Sequence, residues 1–330
     1  MYRASASWPF ERLEPLVLLA TDNWIGPNIG GDWNTPADWS TGAVPGAADT
    51  AYIGPGYTVA FASGDTSQVT ALDVDGTLDV SGGNLSIGNT VGSNFTLDAG
   101  GTLGGAGAVT VSNAAADTWS GGTMLDTGAT TFAVGTTLTM NGAALVLAGG
   151  RTVGGAGAAN LTSALNAGTG GGTVDFADLQ VTGGFDLTGN NLTNAGTITL
   201  TNTSSAVHLS SNNYYTGGSS YSLGGTFINT GTFVEQGAGG LEMYDNSTLN
   251  NEGTYQFSAA SNILYGSAAP NSFVNTGTVE MTASSGTASI EVPFDNQGGT
   301  LDAESGTLQA TRGGRTTGGG TLIANGTGVV

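Results

Sequence analysis

Residues 273–283 read FVNTGTVEMTA: a turn signal, Asn-Thr-Gly-Thr, followed by a short alternating strand. The phrase returns as LTNAGTITLTN at 192–202, FINTGTFVEQ at 227–236, LNNEGTYQFSA at 249–259 and FDNQGGT at 294–300. Its asparagines are Asn194, Asn229, Asn251, Asn275 and Asn296, at spacings of 35, 22, 24 and 21. Two residues before each stands an apolar residue: Leu192, Phe227, Leu249, Phe273 and Phe294. Two residues after stands a glycine: Gly196, Gly231, Gly253, Gly277 and Gly298. A second phrase, TLGGAGA at 102–108, returns as TVGGAGA at 152–158, an offset of 50 that is close to two units.

Repeats of this length signal stacked units. The segments between them, such as YTVAF (57–61), TTLTM (136–140) and TITLT (197–201), alternate apolar and small polar residues with the period of a strand. A period of 22–24 residues built from strands and turns predicts one parallel β-helix, right-handed by the general preference of parallel crossovers. In that fold Asn sits at a corner, suited to left-handed backbone and to local hydrogen bonds. Stacked in register, its side chains bond up a ladder. Phe227, Phe273 and Phe294 point inward and form a column, and the neighbouring glycine permits the bend. At ~23 residues per coil, residues 54–330 make about twelve coils, a rod roughly 55–60 Å long.

Composition agrees with a stacked architecture. Glycine is 58 of 330 residues and charged residues are 9%. In-register stacking puts like charges above one another, so Thr, Ser, Asn and Gly are the economical surface residues. The net charge is −20, from 25 acids and five arginines, and lysine is absent. Nucleic acid requires cations that this chain lacks, so it is excluded as a partner. There is no cysteine, hence no disulfide and no thiolate site. The most apolar run, PLVLLA at 15–20, is too short to span a membrane.

Three zones follow: a leader (1–22), a Trp-rich segment (23–53) read as an N-terminal cap, and the solenoid (54–330). The segment from Trp24 to Ile53 carries Trp24, Gly30-Gly31, Trp33, Asp38-Trp39, Gly42, Pro45-Gly46 and Asp49. This resembles the N-terminal region of large repetitive bacterial surface proteins with adhesin-like or autotransporter-like β-helices, with Asp38 where Asn is commoner. FERLEPLVLLA (10–20) resembles the LEPR-XLL segment of very large surface proteins, with Leu16 in place of the Arg. The resemblance implies an extracellular or cell-surface setting in bacteria.

Candidate chemistry is sparse. Asp73 with Asp75, or Asp175 with Asp178, could supply the two carboxylates of a glycoside hydrolase; solvent-face and turn residues are the plainer reading. His208 is the sole histidine and reads as a surface strand residue. No cofactor is expected. Calcium is the alternative, because LDVDG (72–76) is a fragment of a calcium-loop pattern without its distal Glu. Thr-x-Thr ladders of the ice-binding kind are suggested by TITLT and TTLTM. The Tyr-rich insertion 210–225 could stack a sugar ring.

The two ends of a β-helix expose unpaired backbone over an apolar core. The function expected is a non-enzymatic structural rod that joins copies of itself head to tail. Its assembly contacts are Leu16, Val17, Leu18 and Leu19 in the leader and Trp24, Trp33 and Trp39 behind it. The alternatives are an adhesin module binding glycans and, after it, a polysaccharide lyase or hydrolase.

Overall fold

The computed structural model describes residues 21–88, 94–112, 116–211, 224–266 and 270–330. The chain is an all-β solenoid whose ladders are parallel. One sheet holds 13 strands, from Gly31–Asp32 to Thr307–Ala310, and we call it face 1. The other holds 24 strands and bends at a corner into two further faces. Face 2 includes Asn84–Ile87, Ala108–Val111 and Ser272–Asn275. Face 3 includes Thr50–Ile53, Thr137–Met140 and Thr278–Met281. Two long strands, Arg151–Leu161 and Gly172–Val181, run through the corner and belong to both faces. With 13 strands ~4.8 Å apart, face 1 is about 58 Å long.

The alternation in the sequence is the alternation in space. In Thr278–Met281, Val279 and Met281 are buried and Thr278 and Glu280 look outward. Thr58–Phe61, Thr77–Val80 and Thr254–Phe257 follow the same rule. The inward residues form one continuous apolar cluster from Trp24 to Leu308. Each Val, Leu or Phe placed there contributes about 1.5–3 kcal/mol before conformational entropy is set against it. The only helical element among the described residues is a single 3-10 turn, Pro36–Asp38.

Two expectations about phase need correction. TLGGAGA and TVGGAGA do not occupy equivalent places. Thr102–Gly104 lies on face 1 and leads into face 2, whereas Thr152 and Val153 lie on face 2 and lead into face 3. The phrase encodes a strand, a glycine bend and a strand, and any corner accepts it. The Thr-x-Thr array is also not two columns wide. Thr197, Thr232, Thr254, Thr278, Thr300 and Thr321 stack in register, but the column beside them runs Thr199, Val234, Gln256, Glu280, Asp302, Ile323.

Candidate functional site

The first four asparagines of the repeated phrase end successive strands of face 2, Asn296 stands one residue before the end of the fifth, and all point into the solenoid. Asn194, Asn229, Asn251, Asn275 and Asn296 are all buried. Nδ2 of Asn194 donates to Oδ1 of Asn229 at 2.7 Å, and the pattern continues to Asn251 (2.7 Å), Asn275 (2.7 Å) and Asn296 (2.8 Å). The second N–H of each of the first four donates to the carbonyl of the threonine that opens the next face-3 strand: Thr232, Thr254, Thr278 and Thr300. Nδ2 of Asn296 donates instead to Gly299 O at 2.9 Å. Each interior amide thus satisfies its own polarity inside an apolar tube, where an unpaired one costs about 1–3 kcal/mol. Leu192, Phe227, Leu249, Phe273 and Phe294 stack beside the ladder in register. Phe273 and Phe294 meet edge to face at 5.1 Å.

The reason for Asn and Gly at this corner differs from the one first inferred. None of the ladder asparagines has a positive φ; among the described Asn residues only Asn246 does. The glycines next to them are there for closeness. A Cβ on Gly253 would lie 2.1 Å from the carbonyl oxygen of Gly231, and one on Gly277 2.1 Å from that of Gly253. The last repeat carries one extra residue. Gly299, not Gly298, takes the stacked place, since Thr300 N donates to Gly277 O, and Gly298 absorbs the insertion with φ 81°.

Several buried ionisable side chains escaped the sequence reading, Arg151, Glu235 and Tyr255 among them. Arg151 is fully buried, and its guanidinium donates to Thr130 Oγ1, to Leu125 O at 3.1 Å and to Gly105 O at 3.2 Å. It joins its own turn to the two before it. Desolvation lowers its pKa to about 10, against the pull of Asp126. Glu235 occupies an inward column that otherwise reads Val181, Leu200, Phe257, Met281 and Ala303. Burial pushes its pKa up to about 7, while hydrogen bonds from Ser261 and Tyr255 pull the other way. Tyr255 donates its hydroxyl to Glu235 Oε1, and burial holds that phenol well above its ordinary range. The alternation of TFVEQ signals Glu235, because Phe233 and Glu235 share a face.

Asp73 and Asp75 do come together, and Asp98 from the following turn joins them. One oxygen from each lies within 4.8 Å of the others. Burial, then Asp75 and Asp98, raises the Asp73 pKa to about 6. Tyr52 donates to Asp75 at 2.8 Å, and that bond chiefly pushes the phenol up to about 12. Three oxygen donors are of the kind calcium takes, though half of its usual number. Asp175 and Asp178 are exposed on the long strand Gly172–Val181, where Asp178 accepts from Gln180. His208 stands 3.6 Å from Glu242 of the next turn and edge-on to Tyr244. Glu280 and Asp302 do stack directly, against the expectation that such pairs are avoided; burial, then Glu304 and Asp302, raises the Glu280 pKa.

The ends differ. At the start, Thr21–Asn23 pairs with Thr50–Tyr52, and Gly31–Asp32 with Val59–Ala60. Trp24, Trp33 and Trp39 are buried; Trp39 meets both others edge to face, at 5.1 and 4.8 Å, and Trp33 packs on Phe61. Trp39 Nε1 donates to Trp33 O at 2.7 Å. Leu16, Val17, Leu18 and Leu19 lie outside the described residues, as does most of the 210–225 insertion with Tyr214, Tyr215 and Tyr221. At the far end the inward column runs from Leu301, 6% exposed, to Leu322, 58% exposed. No protein-family model matches this chain, and neither the curated proteins nor the solved structures contain a match.

Proposed function

We propose that this chain is a non-enzymatic structural rod of the bacterial cell surface or extracellular space, which stacks end to end into a fibre or surface layer. The observation that carries the reading is the solenoid itself, an all-parallel stack of turns whose two ends are unlike surfaces over one apolar core. A parallel ladder with a free edge accepts another strand. Because the two ends of the rod are different surfaces, a contact between them does not close, and it propagates as a filament. The low charge and the threonine column suit lateral and axial packing of such rods, and a net charge of −20 keeps them dispersed until ends meet.

Electron microscopy of the purified full chain across a concentration series tests this. Rods joined end to end are expected, and Leu322→Asp should return single rods about 58 Å long. Isolated rods at every concentration, with a monomer mass in sedimentation, would overturn the reading.

A further inference from the structure

The corner between face 3 and face 1 carries a ledge. In two successive turns the connection is two residues long: 162–163 between Arg151–Leu161 and Ala164–Ala167, and 182–183 between Gly172–Val181 and Gly184–Asp186. In the next turn it is six residues long, 201–206, between Thr197–Leu200 and Val207–Ser210. The longer connection steps out over the two short ones and leaves a hollow of about 280 Å³. The wall of the hollow is hydroxylic: Thr162 and Ser163 come from the first turn, Thr182 from the second and Ser205 from the third. The floor is small. A Cβ on Gly183 would lie 1.9 Å from Ser163 O, and Ala164 contributes only a methyl group. His208 closes one side. In register it stands above Gly184, which has no side chain, and Gly184 stands above Ala164. Glu242 of the next turn lies 3.6 Å from the imidazole Nε2, and Tyr244 packs edge-on at 5.2 Å, so the ring is held in place.

We propose that this hollow binds one pyranose ring of a neutral glycan. Charge selects the class of ligand. Among the described residues lining the hollow, His208 is the only ionisable one, and the Glu242 carboxylate beside it offsets any charge on the imidazole. A molecule with a net charge of −20 repels phosphates and uronates, and no carboxylate among those residues lines the hollow to attract a cation. An uncharged ligand rich in hydroxyls fits what remains. Each Ser or Thr hydroxyl both donates and accepts, as each sugar hydroxyl does, so the two sets pair in either direction. Ser163 holds this capacity unused: its Oγ is buried and has no hydrogen-bond partner. The methyl groups of Ala164 and Ala206 offer apolar contact to the C–H groups of the ring. Size sets the length of the ligand. Small-molecule sites span about 300–1,000 Å³, so a hollow just below that range holds one ring and not an oligosaccharide. The hollow lies on the flank of the rod, so binding there is independent of end-to-end assembly.

The chain has one histidine, so the imidazole Cε1–H signal in NMR reports His208 without further assignment. The full chain is titrated at fixed pH with methyl α-glucopyranoside, methyl β-galactopyranoside, methyl glucuronide and inorganic phosphate. A neutral glycoside is expected to move the signal saturably, with a Kd on the order of 1 mM, and the two anions are not. Ser205→Trp and Thr182→Tyr fill the hollow from two exposed positions, and each should weaken binding at least about tenfold. Ser285→Trp, on another exposed turn, should leave binding unchanged. Ser163→Ala should weaken it about fivefold, by removing the hydroxyl that the ligand would pair with. An unchanged melting temperature certifies that each variant is folded. Three outcomes overturn the inference: no saturable shift with either neutral glycoside, an equal response to glucuronide or phosphate, or full binding by both Ser205→Trp and Thr182→Tyr.

Discussion

The solenoid solves one corner in two ways, and the halves of the molecule divide between them. Between faces 2 and 3 of the first half, the corner is filled by bulky inward residues: Ile87, Val111, Phe132 and Phe176. In the second half the same place is pinched by glycines such as Gly196, whose Cβ would sit 2.0 Å from Phe176 O; the first half has one forerunner in this column, Gly155, paired with Phe176. The inward column beside it changes with it. It runs Leu85, Val109, Thr130, Val153, Val174, and then Asn194 and the rest of the ladder. In the first half the largest buried polar group is Arg151, whose guanidinium spans three turns, with Asp22 and Asp117 buried elsewhere; in the second, a ladder of amides adds one buried asparagine per turn. Any apolar side chain of suitable size fills the first kind of corner. Only an amide, with one donor for the next amide and one for a carbonyl, fills the second.

The largest test of that division is Arg151→Ala. It leaves a cavity and strands the acceptors on Thr130, Leu125 and Gly105, a loss of about 4 kcal/mol. Hydrogen exchange should rise around residues 102–181 and stay unchanged around the asparagine ladder, because a solenoid transmits stability mainly to adjacent turns. Uniform exchange along the rod would break the comparison.

Glu235 comes next. Its folded pKa of about 7 lies above the ordinary 4.5, so the folded chain holds this proton more tightly than the unfolded one. Its stabilising influence is complete below about pH 4.5 and is lost as pH rises to about 7, a swing of about 3 kcal/mol. Glu235→Gln should therefore melt higher than the parent at pH 8 and lose that advantage at pH 4.5. A pH-independent difference would show that the carboxyl has the same pKa folded as unfolded.

Asn251→Ala should cost about 2 kcal/mol, since Asn275 Oδ1 loses its donor and Asn229 Nδ2 its acceptor. Adding Asn229→Ala should cost less than a second full share, because the two amides hold one another. Strict additivity, checked by a double-mutant cycle in urea, would mean that the ladder is four separate bonds. The smallest effect belongs to Asp73→Asn. The Asp73 pKa is raised to about 6, so its charge weakens the fold as pH climbs from about 4 to 6. The variant should be slightly more stable than the parent at pH 7, as read by its melting temperature, and should match it near pH 4.

This contrast also explains what the sequence made legible. The second half was readable because an amide inside an apolar column has one place to stand, so Asn229, Asn251 and Asn275 recur with their glycines. Period, inward Phe and ladder follow from that. The first half was readable only as alternation. Val, Ile, Leu and Phe are interchangeable there, nothing marks the phase, and TLGGAGA was matched to TVGGAGA one face out of step. The glycine-rich bend belongs to both halves, which is why Gly298 was paired where Gly299 belongs. Asp98 joined Asp73 and Asp75 only through the stacking of turns, across more than twenty residues, and no local pattern announces it. Arg151 stood out as the lone base of a long stretch, but its burial depends on the corner it happens to occupy.

That placement of the arginines has a consequence for durability. Between Arg12 and Arg312 the chain offers a protease that cuts after lysine or arginine a single target, and Arg151 is sealed inside the tube. Such an enzyme can cut at the exposed Arg312 and Arg315, but the body of the rod survives digestion for as long as it stays folded. A rod built this way gains persistence against such enzymes from its economy of cations, with no disulfide needed to secure it.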